Sequence, residues 1–181
     1  MNYYIKYIFL FLCCTTIFSC VEEQDFDQFD DLRATPTMEA SILYVESNEA
    51  LINSAGDAGF ISRDFNFDAF SSDVFAKRVL DGTLTYIVEN TTSKPITVYI
   101  ELLNENGEII DRETLETGPI RGRSIQREVA YGNSGKDINI IKFTSSIRVT
   151  AINDGDSTST SDLPDPKIIL KSSGKFRVNI K

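Results

Sequence analysis

An all-β fold, an antiparallel sandwich of about 7–9 strands with one or two short helical turns, is what this sequence predicts over residues 38–181. Three observations carry the expectation. Apolar and polar residues alternate with period two in several stretches, as half-buried strands require. Turn residues punctuate these stretches at roughly 8–12-residue spacing. Helical periodicity, by contrast, is confined to short segments.

Taken in order, residues 40–45 and 64–70 are candidate strands with the weaker pattern. Ser47 to Asn53 reads as a short helix between them, and Ser72 to Leu80, ahead of Gly82, as a second. Thr83 to Glu89 is a strong strand that puts Leu84, Tyr86 and Val88 on one face. Asn90 to Pro95 separates it from the next, where Ile96, Val98, Ile100 and Leu102 oppose Thr97, Tyr99 and Glu101. Pro95 suits the first position of a strand, where no ladder donor is needed. Asn104-Glu105-Asn106-Gly107 predicts a hairpin turn with Gly107 free to take positive φ. Residues 108–114 and 124–131 follow as strands, Asp137 to Phe143 as a helical turn, and 147–152 and 167–171 as further strands. Ser172-Ser173-Gly174 reads as the turn of a last hairpin, after which Phe176, Val178 and Ile180 alternate with Lys175, Arg177 and Asn179. The strand count and spacing suggest an immunoglobulin-like topology, without the Cys–Trp–Cys core of antibody domains. Phe60, Phe65, Phe67, Phe70 and Phe75 read as sandwich core, because aromatics dominate core burial.

Composition narrows the function. The chain has 181 residues, 18 Lys+Arg against 27 Asp+Glu, a net charge of −9, no His, no Trp and 3 Cys. Its apolar fraction of 41% is ample for a packed core. The acidity argues against nucleic acid as a partner, which needs a basic face to displace phosphate counterions. Without His, the commonest general base and metal ligand is missing.

The first twenty residues, MNYYIKYIFL FLCCTTIFSC, carry one charge, Lys6, and an unbroken apolar run from Tyr7 to Cys14. That is the layout of a signal peptide, with a run too short for a transmembrane helix of about 20 residues. Ile17-Phe18-Ser19-Cys20 resembles a bacterial lipobox, in which a small residue precedes the cysteine that becomes the lipidated first residue of the mature protein. All three cysteines (Cys13, Cys14, Cys20) lie in this segment. The body therefore has no disulfide framework, thiolate metal site or cysteine nucleophile. The resemblance implies a signal peptide over 1–19, Cys20 as lipidation site, and a membrane as partner. Two or more acyl chains make such anchoring stable, at about 0.8 kcal/mol per buried CH2. Cleavage would remove Lys6 and no acid, leaving a mature chain still more acidic.

Residues 20–37 form an acidic tether. Glu22, Glu23, Asp25, Asp27, Asp30 and Asp31 precede the first base, Arg33, and Pro36 breaks the chain. Self-repulsion extends such a segment, and as a coil it spans roughly 20–25 Å. Acids directly after the cysteine (Glu22, Glu23, Asp25) resemble the signal that sends Bacteroidota lipoproteins to the outer face of the outer membrane. No glycine turn folds these acids around calcium.

Nothing in the body pairs a nucleophile with a base: no Gly-x-Ser-x-Gly elbow and no phosphate-cradling glycine loop. Glu101, Asp111 and Glu113 occupy polar alternation positions and read as solvated faces rather than a hydrolytic carboxylate pair. No catalytic residue, cofactor or metal ligand is expected. Asn153 to Asp162 reads as a solvated loop whose Asp154, Asp156 and Ser157 lack the downstream Glu of a calcium loop. Asp156-Ser157-Thr158 resembles the O-glycosylation sequon of exported Bacteroidota proteins, which implies a glycan on Ser157. Stretches Asn90–Leu103 and Thr144–Ile152 resemble small uncharacterised flavobacterial envelope lipoproteins. The expectation is an outer-membrane, surface-facing lipoprotein whose sandwich is a non-catalytic interaction or structural module, partnered by another envelope protein. A ligand-binding lipoprotein, for glycan or calcium, is the alternative.

Overall fold

The structure is a computed structural model that describes residues 3, 4 and 7, then 34–55, 61–118, 123–133 and 135–180. The chain forms two units, Met1–Leu32 and Arg33–Lys181. In the first, Tyr3, Tyr4 and Tyr7 are helical and exposed. Cys20, Glu22, Glu23 and Asp25 lie outside the described residues. Among those described, no helix is long and apolar enough to cross a membrane.

The second unit is an all-β sandwich, with eight antiparallel strands among the described residues. They are β1 (Thr37–Asn48), β2 (Ile61–Asn66), β3 (Val79–Asn90), β4 (Ile96–Leu103), β5 (Ile109–Thr117), β6 (Arg123–Tyr131), β7 (Ser146–Asn153) and β8 (Lys167–Val178). One sheet has the order β1-β8-β3-β6 and the other β2-β7-β4-β5. The antiparallel sandwich is the one the alternation predicts. Its connectivity is not immunoglobulin-like: that topology keeps A-B-E-D and C-F-G together, whereas here every chain-adjacent pair but β4–β5 crosses between sheets. Eight strands threaded this way make a jelly roll. Alternation determines which face of a strand is buried, but pairing is set by contacts tens of residues apart, so the strand order was not readable from it.

Among the described residues, four short helices sit in the connections: α1 (Glu49–Ala55), α2 (Asp68–Ser71), α3 (Asp73–Ala76) and α4 (Ile138–Phe143). Asp137 caps α4 by accepting from Asn139 N–H, and Ser72 caps α3 through Phe75 N–H. The predicted 64–70 strand thus ends at Asn66. The chain then turns through α2, and Phe67, Phe70, Phe75 and Phe176 stack edge-to-face and offset with centroids 4.4–5.4 Å apart. These rings close one end of the core, as the core reading of Phe67, Phe70 and Phe75 requires; Phe65 is half-buried. Phe60 lies outside the described residues.

Ser172-Ser173-Gly174 is not a turn. β8 runs straight through it, paired with β1 on one side and β3 on the other. The reason is Phe176. A Cβ on Gly82 would meet Phe176 Cδ1 at 2.1 Å, and one on Gly174 would meet its Cε2 at 2.5 Å. Both glycines make room for that ring within strands, a packing role rather than a turning one. Gly107, with φ of 76°, does close the predicted β4–β5 hairpin.

The core lies between the sheets. Leu84, Tyr86 and Val88 of β3 face Ile96, Val98, Ile100 and Leu102 of β4, joined by Ile147, Val149, Ile168 and Leu170, all buried. The β1–β2, β3–β4, β5–β6 and β7–β8 connections gather at one end of the sandwich. The β2–β3, β4–β5 and β6–β7 connections gather at the other, where the chain also enters β1 and leaves β8.

Candidate functional site

The two ends differ in chemistry. At the first, a polar network ties the β7–β8 connection to its neighbours. Asn90, buried at the end of β3, donates to Lys94 O (2.8 Å) and Thr117 Oγ1 (2.9 Å) and accepts from Thr92 N–H and Oγ1. This pins the β3–β4 turn and aims the fully buried Lys94 side chain across it. Its ammonium donates to Asp156 Oδ1 (3.0 Å), Ser159 O (2.7 Å) and Ser159 Oγ (2.7 Å), using all three protons. Asp156 also accepts from Thr158 N–H and from Ser159 N–H and Oγ. Those Ser159 and Lys94 hydrogen bonds hold its carboxyl far below the ordinary aspartate range.

Glu49, the first residue of α1, is likewise buried. Its Oε1 accepts from Ser93 N–H (2.5 Å) and Oγ (2.7 Å), and Oε2 from Ser161 N–H (2.7 Å). Burial pushes this carboxyl up, but the hydrogen bonds from Ser161 and Ser93 outweigh it and hold it low. The segment predicted as a solvated loop is therefore held from two sides by Lys94 and Glu49. Asp156 has a lysine ammonium where a calcium reading would put the metal. Among the described residues, no group of three or more carboxylates is placed to hold a metal ion. Ser157 sits half-buried next to Asp156 in this connection.

Carboxylates read as solvated prove to be engaged. Across the outer face of the β2-β7-β4-β5 sheet, Asp64, Arg148, Glu101 and Arg112 stand in register, one per strand. Arg148 binds Asp64 through two hydrogen bonds of 2.7 and 2.8 Å, and Arg112 Nε donates to Glu101 Oε1 at 2.7 Å. Glu101 is only 7% exposed because the flanking strands cover it. Asp111 and Glu113 of β5 meet Lys136 at 2.6 and 2.7 Å, and Tyr131 donates to Asp111 at 2.8 Å. Burial pushes the Tyr86 and Tyr131 hydroxyls well above the ordinary phenol range, and Asp111 and Glu113 add to it. Two carboxylates bridged by one ammonium form a staple between the sheets; neither is placed as a free acid or base. Arg127 lies 3.6 Å from Glu113, at the rim of this staple.

At the second end, an open groove of ≈570 Å3 is lined by Ala76, Lys77, Asn104, Ile110, Lys142 and Phe143, with Asp73, Glu105 and Asn106. The sequence reading did not single out Lys94, Glu49 or this groove. Asp156 followed by Thr158 and Ser159 carries the signal of a carboxylate that captures nearby backbone N–H groups. For Lys94, whose partner is 62 residues away, no local signal exists.

No protein-family model matches the chain, and no curated protein matches it. Among solved structures it is similar to the infectious bursal disease virus VP2 subviral particle, at 14% identity and a TM-score of 0.36, over 83% of this chain and 33% of that one. It is also similar to a Bacillus endospore appendage protein of disulfide-linked pili (9%, TM-score 0.37, 80% and 90% covered). A third is an arabinose-bound α-L-arabinofuranosidase (9%, TM-score 0.41, 80% and 23% covered). The chain spans about a third of the length of the first of these.

Proposed function

We propose that the protein is a lipid-anchored cell-envelope protein whose sandwich is a non-catalytic interaction or structural module, an accessory subunit of an outer-membrane complex. Ile17-Phe18-Ser19-Cys20 carries the reading: a small residue before a cysteine, after a signal-length apolar run, in a chain whose remaining 161 residues contain no cysteine. Glu22, Glu23 and Asp25 after Cys20 favour the outer face of the outer membrane. The organisation of the body supports a non-catalytic role. Glu49, Lys94, Asp156, Glu101, Asp111 and Glu113 each bind an opposite charge or several hydrogen-bond donors within the fold. A glycan on Ser157 fits the same exported location.

Crosslinking in intact cells, followed by identification of what is captured, tests the reading. One dominant envelope partner is the expected result. A stabilising shift in unfolding temperature with calcium or a glycan, and no partner, would favour the ligand-binding alternative instead.

A further inference from the structure

We infer that the groove end of the sandwich lies against the lipid surface, with Phe143 and Val74 seated at the boundary of headgroups and acyl chains. This rests on the reading that Cys20 carries lipid. Two independent observations lead to it.

The first is where exposed apolar side chains fall. Met38, Val74, Leu80, Ile109, Phe143 and Ile180 all lie at the end that holds the β2–β3, β4–β5 and β6–β7 connections. Each is within two residues of a strand end or belongs to α3 or α4. Val74 is 69% exposed and Phe143 62%. Elsewhere on the described sandwich, Leu51 and Leu163 are comparably exposed at the opposite end, beside the Lys94 and Glu49 network, and Tyr44 along β1, where its hydroxyl donates to Glu46. Exposed apolar groups gathered at one end mark a surface that is covered in use.

The second observation selects the occupant. Ile180 N–H donates to Ala34 O at 3.0 Å, and Asn179 N–H to Arg78 O at 2.9 Å, so the chain enters the sandwich at this same end. Thirteen residues, Val21 to Arg33, separate Cys20 from Ala34. Whatever their conformation, thirteen residues reach no further than about 45 Å, so lipid on Cys20 would keep this end at high effective concentration near the membrane. The charges around the groove are mixed. Lys77 pairs with Asp73 at 2.9 Å, and Lys142 lines the groove with Glu105. Attraction to anionic lipid is therefore weak, and apolar insertion is the driving term.

The absence of Trp from the sequence makes the test clean, because a single introduced Trp has no background. Phe143→Trp and Leu51→Trp variants are reconstituted in phosphatidylcholine vesicles with brominated acyl chains, and lipid on Cys20 is checked by mass. If Cys20 proves unmodified, the anchoring reading fails by that mass alone. A chain lacking residues 1–19, in which Cys20 is the only thiol, is then coupled to a maleimide lipid, so docking is measured in either case. The expected result is fluorescence quenching of Phe143→Trp by about twofold or more, little changed by salt, with Leu51→Trp unquenched. Equal quenching of both reporters, or none of Phe143→Trp, overturns the inference; the latter leaves this end for a protein partner.

Discussion

The ammonium of Lys94, without solvent exposure, lies 3.0 Å from the carboxylate of Asp156, whose side chain is 58% exposed. A buried cation here joins the β3–β4 turn to the β7–β8 connection, and its other two protons go to Ser159. Lys94→Met keeps the apolar stem and removes the charge. The expected cost is about 1–3 kcal/mol, from hydrogen bonds lost at a buried site. Amides of 154–166 should then exchange faster, while those of β3 and β4 keep their protection. Unchanged exchange in that segment would mean that Lys94 does not hold it.

The Phe176 ring is the nearest obstacle to a Cβ at both Gly82 and Gly174, with the Lys175 carbonyl oxygen also close to the first and Ile42 to the second. Gly82→Ala should cost about 1–3 kcal/mol in urea unfolding, because the added methyl overlaps Phe176. In a Phe176→Leu background the same substitution should cost less, with a coupling of about 1 kcal/mol. Additive effects would rule out the ring as the reason for the glycine.

Acid should destabilise the polar end first. The Glu49 and Asp156 carboxyls are held below their ordinary values in the fold. Their contribution is present above the unfolded pKa of about 4 and is lost as pH falls below it. Stability measured from pH 7 downward should stay level to about pH 5 and then fall. Glu49→Gln should flatten that slope.

Alkali should act through the staple between the sheets. Tyr86 and Tyr131 are raised above the ordinary phenol value, with burial as the main cause, so their contribution is present below about pH 10 and lost above it. Hydrogen bonds from Lys136 to Asp111 and Glu113 outweigh its burial and hold its ammonium up, which adds to the same flank. Tyr131→Phe should cost about 1 kcal/mol at pH 7 and weaken the alkaline fall. A variant as alkali-sensitive as the parent would contradict this assignment.

Much of the sandwich was legible because alternation reports burial directly. β3 and β4 have Leu84, Tyr86 and Val88, and Ile96, Val98, Ile100 and Leu102, facing the core as read. Asn104 to Gly107 was legible because a positive-φ glycine has a local cause. What escaped was non-local. The jelly-roll order depends on pairings such as Thr37 with Arg177. Gly174 looks like a turn until Phe176 is seen to fill its space. Glu101 looks solvated until Arg112 and Arg148 are placed beside it by their strands.

The central claim is that this sandwich is held to a membrane through Cys20, and intact-mass analysis of the protein isolated from its own membranes tests it most directly. The account predicts a chain beginning at Cys20 and carrying the added mass of a diacylglycerol and an N-linked acyl group. A chain that keeps residues 1–19, or that starts elsewhere with no lipid mass, would contradict it.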